Sequence, residues 1–78
     1  MSYDEFVEFD PDKFSDWMKT AREKNGLTWY GLAALTGMHA TTLSTIEQHG
    51  RDVRMSSFVK ICTALNENPA TVMKKVLA

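Results

Sequence analysis

Several features that define other protein classes are absent from this 78-residue sequence. The single cysteine, Cys62, has no partner for an internal disulfide bond, and no cysteine and histidine spacing matches a zinc site. No run of about 18 apolar residues predicts a membrane helix. The acidic start of the chain lacks the basic residues and the apolar run of a signal peptide. We therefore expect a cytoplasmic protein with no disulfide, metal, cofactor or membrane partner.

Catalytic groups are equally sparse. The sequence has no set of nucleophile, base and orienting group, no glycine-rich loop for phosphate and no cluster of metal ligands. His39 and His49 are ten residues apart along a helix, too far to share a metal ion on one face. We expect that the protein is not an enzyme.

The sequence also lacks the positive excess of many nucleic-acid-binding domains, since its formal net charge is −1. The distribution of charge changes this interpretation. Residues 1–16 contain six acids and one lysine, a net charge of −5, whereas residues 17–78 contain eight bases and four acids, a net charge of +4. An acidic leader therefore precedes a basic body.

The spacing of apolar residues predicts one all-α domain over residues 11–78, preceded by the acidic leader at residues 1–10. A chain of this length forms one modest core, and an apolar content of 44% is high enough for it to fold. No segment alternates convincingly enough to predict a strand. We expect the core to include Phe14, Trp17, Met18 and a reduced Cys62.

Capping residues, prolines and glycines mark the boundaries of five short helices. Asp10-Pro11 begins the first helix, which carries an apolar stripe and runs to about residue 25. Four more helices follow, and the residues that mark them are Thr28 and Gly37, His39 and Gly50, Ser56 or Ser57, and Asn68-Pro69.

A very short turn joins the second and third predicted helices. The small side chain of Ala33 lets the two helices approach closely, and Gly37 takes the positive φ that turns the chain. Met38, Leu43 and Ile46 hold the third helix on the first two. This pattern is typical of a helix-turn-helix, in which the third helix projects outward.

The outward face of the third helix is polar and uncharged. It consists of Ala40, Thr41, Ser44, Thr45 and Gln48. On such a helix we expect these residues to enter the major groove of DNA and to contact base edges.

Across this segment the sequence resembles the phage-repressor and Cro family of helix-turn-helix regulators, the xenobiotic-response-element-like type. The residues at the family's spacing are Ala33, Gly37, Leu43, Ile46 and Glu47. Residues 58–65 look like the fourth helix of the family, and the resemblance covers about residues 12–77 without an insertion. It implies a repressor-like fold and sequence-specific binding to double-stranded DNA, with the third helix as the recognition helix.

Departures from the family pattern fall on the DNA-facing positions. Trp29 stands where the family often has glutamine, His39-Ala40 where serine-arginine is usual, and Thr45 where arginine is frequent. Because no long cation remains on this helix to read guanine, recognition rests on short hydroxyls, methyl contacts to thymine and Gln48. We expect modest intrinsic affinity.

The resemblance implies two further sets of contacts. One is a structural ion pair between Arg22 and Glu47, because an unpaired carboxylate beside the packed Ile46 would be costly. The other is to the DNA backbone, and the candidate phosphate ligands are Thr28, Trp29, His39, Arg51 and Arg54. Helix capping is an alternative role for His39, and simple solvation is an alternative for the two arginines.

Aromatic residues leave a protein partner open. Trp29 and Tyr30 suit packing on the first helix, a phosphate contact or a partner surface. The leader carries Tyr3, Phe6 and Phe9, which dock on the domain itself or on a partner unless the terminus is frayed.

Two hypotheses of function follow. The favoured one is a transcription regulator of bacterial or phage type, a repressor that binds paired half-sites as a homodimer. Its dimer seam is expected on the fifth helix, whose apolar residues are Val72, Met73, Val76 and Leu77. The alternative is a protein-interaction module on the same scaffold, such as an antirepressor, modulator or antitoxin, that acts through another regulator.

Overall fold

The computed structural model describes residues 6–50 and 53–77. Within these ranges the chain forms five helices, which confirms the all-α prediction. They are α1 (Pro11–Lys24), α2 (Trp29–Thr36), α3 (Ala40–His49), α4 (Met55–Ala64) and α5 (Pro69–Val76).

Two very short strands were not predicted. They are β1 (Phe6–Val7) and β2 (Val53–Arg54), which pair antiparallel, with Phe6 opposite Arg54 and Val7 opposite Val53. Strands of two residues are too short to show the alternation by which a strand is recognised in a sequence.

Side-chain caps begin three helices where the sequence predicted them. The side chains of Asp10, Thr28 and Asn68 each accept a backbone N–H of the first turn, over 3.1, 3.1 and 2.9 Å. These bonds satisfy amide groups that have no partner inside the helix. Local sequence therefore sets the starts of α1, α2 and α5.

The start of α4 differs from the prediction. The helix begins at Met55 with Arg54 in the N-cap position, so Ser56 and Ser57 lie inside its first turn. Because Arg54 is also the last residue of β2, the strand leads directly into the helix. Pairing between distant segments, which the sequence pattern does not reveal, has moved this boundary.

A single apolar core fills the space between the helices. Phe14 and Met18 of α1, Leu32 of α2, Leu43 of α3 and Phe58 of α4 are fully buried. Other core members include Ile61, Cys62, Leu65 and Val72, and Trp17 packs against the cluster from its edge. Burial raises the pKa of the Cys62 thiol to about 12, so this cysteine is a protonated core residue at neutral pH.

The end of the acidic leader belongs to the domain. Phe9 is buried, and its ring lies 4.8 Å from that of Phe14 and 4.9 Å from that of Phe58, between centroids. The backbone N–H of Asp10 donates to the carbonyl of Val76 over 2.8 Å. Residues 6–10 are therefore docked on the protein itself, while Tyr3 and the rest of residues 1–5 lie outside the described residues.

The apolar residues of α5 are divided between the core and the surface. Val72 and Val76 are each 1% exposed, Met73 is half-buried and Leu77 is 43% exposed. The expectation that these four residues are too many to hide entirely in one small core agrees with this division, since Leu77, just beyond the helix, stays exposed. Val72 and Val76 are covered within one chain, so they offer little surface to a dimer seam.

Two glycines with positive φ lie in the turns before and after α3. Gly37, before the helix, has φ 73° and open space where a Cβ would lie. Gly50, which ends the helix, has φ 60°, and a Cβ there would overlap the backbone carbonyl of Pro11. The C-terminus of α3 therefore sits directly against the start of α1, a contact that only glycine permits.

Among the described residues, no helix has the length and apolar character needed to cross a membrane.

Candidate nucleic-acid interface

Helix α3 packs on α1 and α2 through one side and leaves its other side exposed. Leu43, Ile46 and Glu47 form the inner side and are buried. On the outer side, Thr41, Thr45 and Gln48 are exposed, and Ala40 and Ser44 are half-buried. The five residues predicted to face DNA therefore all reach the surface.

The predicted ion pair between Arg22 and Glu47 is present. The Nε of Arg22 donates to Oε2 of Glu47 over 2.9 Å, and Nη2 donates to Oε1 over 3.0 Å, with side-chain exposures of 14% and 6%. The third donor, Nη1, bonds to the carbonyl of Leu27 over 2.7 Å. Hydrogen bonding to Glu47 raises the pKa of Arg22 above its usual value, and the bidentate geometry is the strong form of such a pair.

Trp29 joins this pair as a third member. Its indole N–H donates to Oε2 of Glu47 over 3.0 Å, and the guanidinium carbon of Arg22 lies 5.3 Å from the ring centroid. Of the roles predicted for Trp29, a phosphate contact through this N–H is not free in the structure, because the buried Glu47 carboxylate accepts it. The Glu47 carboxylate on α3 is thus hydrogen-bonded to both α1 and α2.

Two grooves flank the outer face of α3. One is lined by Trp29 and Tyr30 of α2 together with Ala40, Thr41, Ser44 and Thr45. The other groove lies between α3 and the segment of β2 and α4. Its α3 residues are Thr41, Thr42, Thr45, Ile46 and His49, and Arg54 and Ser57 line the opposite wall. Thr41 and Thr45 border both grooves, so they form the ridge of the helix.

Gln48 is exposed on the same face of α3, seven residues after Thr41. It borders a third groove, between α1 and α3, whose charged residues are Asp12, Asp16, Lys19 and the paired Arg22 and Glu47. The charges of this groove nearly balance, so Gln48 stays a predicted DNA-facing residue.

The candidate phosphate ligands that the structure describes lie at the ends of helices and strands. Thr28 caps α2 through its Oγ1, and His39 occupies the N-cap position of α3, where its side chain makes no capping hydrogen bond within the described residues. Arg54 is exposed at the end of β2 and borders the groove that contains His49, and Arg51 lies outside the described residues. His39 is thus next to the first turn of α3, and Arg54 lies beside its outer face.

Three exposed residues of these grooves were not among the predicted DNA-binding residues. They are Tyr30, which is 80% exposed, Thr42 and His49. The predicted roles of Tyr30 are packing, a phosphate contact or a partner surface, and the crossing of α2 and α3 places it beside Ala40 and Thr41. Thr42 and His49 carry a signal in the helical period, since they follow each other at i and i+7 on one face.

Comparisons with known proteins agree with this geometry. A family model described as helix-turn-helix matches residues 18–72. The protein is thus a helix-turn-helix domain, and the chain belongs to the family of phage-repressor and Cro type whose members are DNA-binding transcription regulators. No curated protein sequence gives a significant match.

Two solved structures are similar. The restriction-modification controller protein C.AhdI from Aeromonas hydrophila is 28% identical, with a TM-score of 0.71 over 77% of this chain and 91% of that one. A mutant of the restriction-modification controller protein C.Esp1396I is 23% identical, with a TM-score of 0.76 over 83% of this chain and 87% of that one. The second likeness concerns the fold alone.

Proposed function

We propose that α3 enters the major groove of duplex DNA and reads base edges through Ala40, Thr41, Ser44, Thr45 and Gln48. The observation that carries this proposal is the contrast across the helix, whose inner side is locked by Glu47 while its ridge is exposed and uncharged. A rigid, neutral ridge suits the major groove, where donors, acceptors and methyl groups are read at close range.

Backbone contacts would hold the domain in register. His39 lies at the N-terminal end of α3, Arg54 borders the groove on one side of the ridge, and Tyr30 is exposed on the other side. Each is suited to a phosphate oxygen, as are the first amide groups of α3 and α4. Trp29 then acts indirectly, by holding Glu47 rather than phosphate.

We further propose that the protein represses transcription as a homodimer on paired half-sites about 34 Å apart. One helix with short side chains buries little surface, so two copies are needed for specific affinity. Because Val72 and Val76 are in the core, the predicted seam residues that remain accessible are Met73 on α5 and Leu77 directly after it. Sedimentation equilibrium of Leu77→Asp should show a weaker dimer than wild type, and a reporter behind the operator should be derepressed.

Selection from random DNA duplexes at several salt concentrations tests the proposed function. The protein should enrich one motif, and log K should fall with log salt by about 0.9 per phosphate neutralised. Retention without an enriched motif, or flat salt dependence, would contradict it.

A protein partner is a second candidate, and the 80% exposure of Tyr30 favours it. A large aromatic side chain with a polar tip is typical of binding surfaces. Tyr30→Ala distinguishes the two functions: a DNA contact predicts weaker operator binding, whereas a partner contact predicts unchanged operator binding and loss of the partner.

A further inference from the structure

Thr45 occupies a central place on the outer face of α3. It borders the groove that contains Trp29 and Tyr30 and also the groove that contains His49 and Arg54. Thr41, one helical turn earlier, is shared by both grooves in the same way. A base pair that meets the ridge of α3 would therefore meet these two threonines.

The hydroxyl hydrogen of Thr45 is already used inside the helix. Its Oγ1 donates to the carbonyl of Thr41 over 2.9 Å. A threonine hydroxyl has a single hydrogen, so the side chain offers DNA a methyl group and an acceptor oxygen. It cannot donate to a base without giving up this bond.

Because Thr45 has no hydrogen-bond donor to offer DNA, it can recognise fewer kinds of base. In the major groove guanine presents two acceptors, N7 and O6, which require donors from the protein. What remains is the C5 methyl group of thymine, for a methyl contact, and the amino groups of cytosine and adenine, for the acceptor oxygen. The methyl contact fits better because Oγ1 is turned back toward Thr41, and Ala40 in the adjoining groove adds a second methyl.

We propose that Thr45 is a specificity-determining residue that reads thymine through contact between its methyl group and the thymine C5 methyl. This inference rests on the proposed function, since it requires α3 to lie in the major groove. Because the Thr45 hydroxyl hydrogen is bonded within α3, the methyl group is what this residue presents to a base, and the preferred base is thymine.

Deoxyuridine substitution tests this contact directly, because uracil lacks only the C5 methyl of thymine. In the operator obtained by selection, each thymine is replaced in turn and Kd is measured by fluorescence anisotropy. At one position in the half-site the wild-type protein should bind about fourfold more weakly, which corresponds to about 0.8 kcal/mol for one methyl-sized group.

Two substitutions at Thr45 separate its methyl group from its hydroxyl. Thr45→Val retains a methyl and should keep the fourfold ratio between the thymine and uracil operators. Thr45→Ser retains the hydroxyl, and its ratio at that position should fall to one. Because the readout is a ratio of two operators, a general loss of stability does not move it.

Thr63 of α4 supplies a matched control. It is exposed, and its Oγ1 donates to the carbonyl of Val59 over 2.9 Å, the same bond that Thr45 makes on α3. Thr63→Ser should leave the ratio at fourfold. The proposal is wrong if no thymine is sensitive to uracil, if Thr45→Ser keeps the ratio, or if Thr45→Val abolishes it.

These outcomes are distinct from failure of the proposed function. An enriched motif that shows no sensitivity to uracil would overturn the role of Thr45 and leave DNA reading by α3 intact. A duplex pool that yields no motif would overturn both.

Discussion

The two sides of α3 differ sharply in what holds and surrounds them. On the inner side, Glu47 accepts two hydrogen bonds from Arg22 and one from Trp29. Leu43 and Ile46 are buried on the same side. On the outer side, Thr41 and Thr45 are exposed, and the described contact of Thr45 is to its own helix. One helix of ten residues thus carries an anchor on one side and the proposed DNA-reading surface on the other.

This difference indicates how stability and recognition are separated in so small a protein. The inner side holds α3 on α1 and α2, which leaves the outer side, our proposed DNA surface, free to differ without a cost in the core. Substitutions should therefore fall into two groups: inner changes should lower the free energy of unfolding, and outer changes should alter DNA binding.

The largest effect is expected at the ion pair. Arg22→Ala should lower the free energy of unfolding by about 3–5 kcal/mol, because it leaves the Glu47 carboxylate buried without its main partner. Urea denaturation followed by circular dichroism measures this change. Lys19→Ala, an exposed position on the same helix, is the control and should change stability by less than about 0.5 kcal/mol. Equal free energies of unfolding for the two variants would mean that the ion pair does not stabilise the fold.

A smaller effect is expected where α3 ends against α1. Gly50→Ala should cost more than about 2 kcal/mol, because it combines a left-handed backbone with an overlap between Cβ and the Pro11 carbonyl. Gly37→Ala has the left-handed strain without the overlap and should cost about 1–2 kcal/mol. If thermal unfolding shows the same loss for both, the close approach at Gly50 is absent in solution.

The smallest effect on stability is expected on the outer face. Thr41→Ala and Ser44→Ala should each leave the free energy of unfolding within about 0.5 kcal/mol of wild type, since neither side chain lies in the core. The same denaturation experiment provides the measurement. A loss above about 1 kcal/mol at either position would show that the outer face also supports the fold.

Sequence patterns were informative where local rules govern. The caps Asp10, Thr28 and Asn68 and the turn glycine Gly37 depend on neighbours within a few residues, and all four were predicted. The pairing of Arg22 with Glu47 was found through the family resemblance and through the cost of an unpaired carboxylate. These features account for the helices and for the orientation of α3.

Features that depend on distant parts of the chain were not predicted. The Phe6–Val7 strand pairs with residues 53 and 54, and this contact moves the start of α4 to Met55. Trp29 was left with several roles because its partner, Glu47, lies 18 residues away. The acids beside Gln48 come from α1, so the helical period of α3 does not reveal them.

The central claim is that the outer face of α3 reads DNA, and Thr41→Asp tests it most directly. A carboxylate on the ridge would face the phosphates and base acceptors of the groove, and such juxtaposition costs several kcal/mol. Kd for the selected operator should therefore rise by at least about tenfold, while Thr63→Asp, an exposed threonine on α4, should bind nearly as wild type does. Equal affinities for Thr41→Asp and Thr63→Asp, with both proteins folded, would contradict the account.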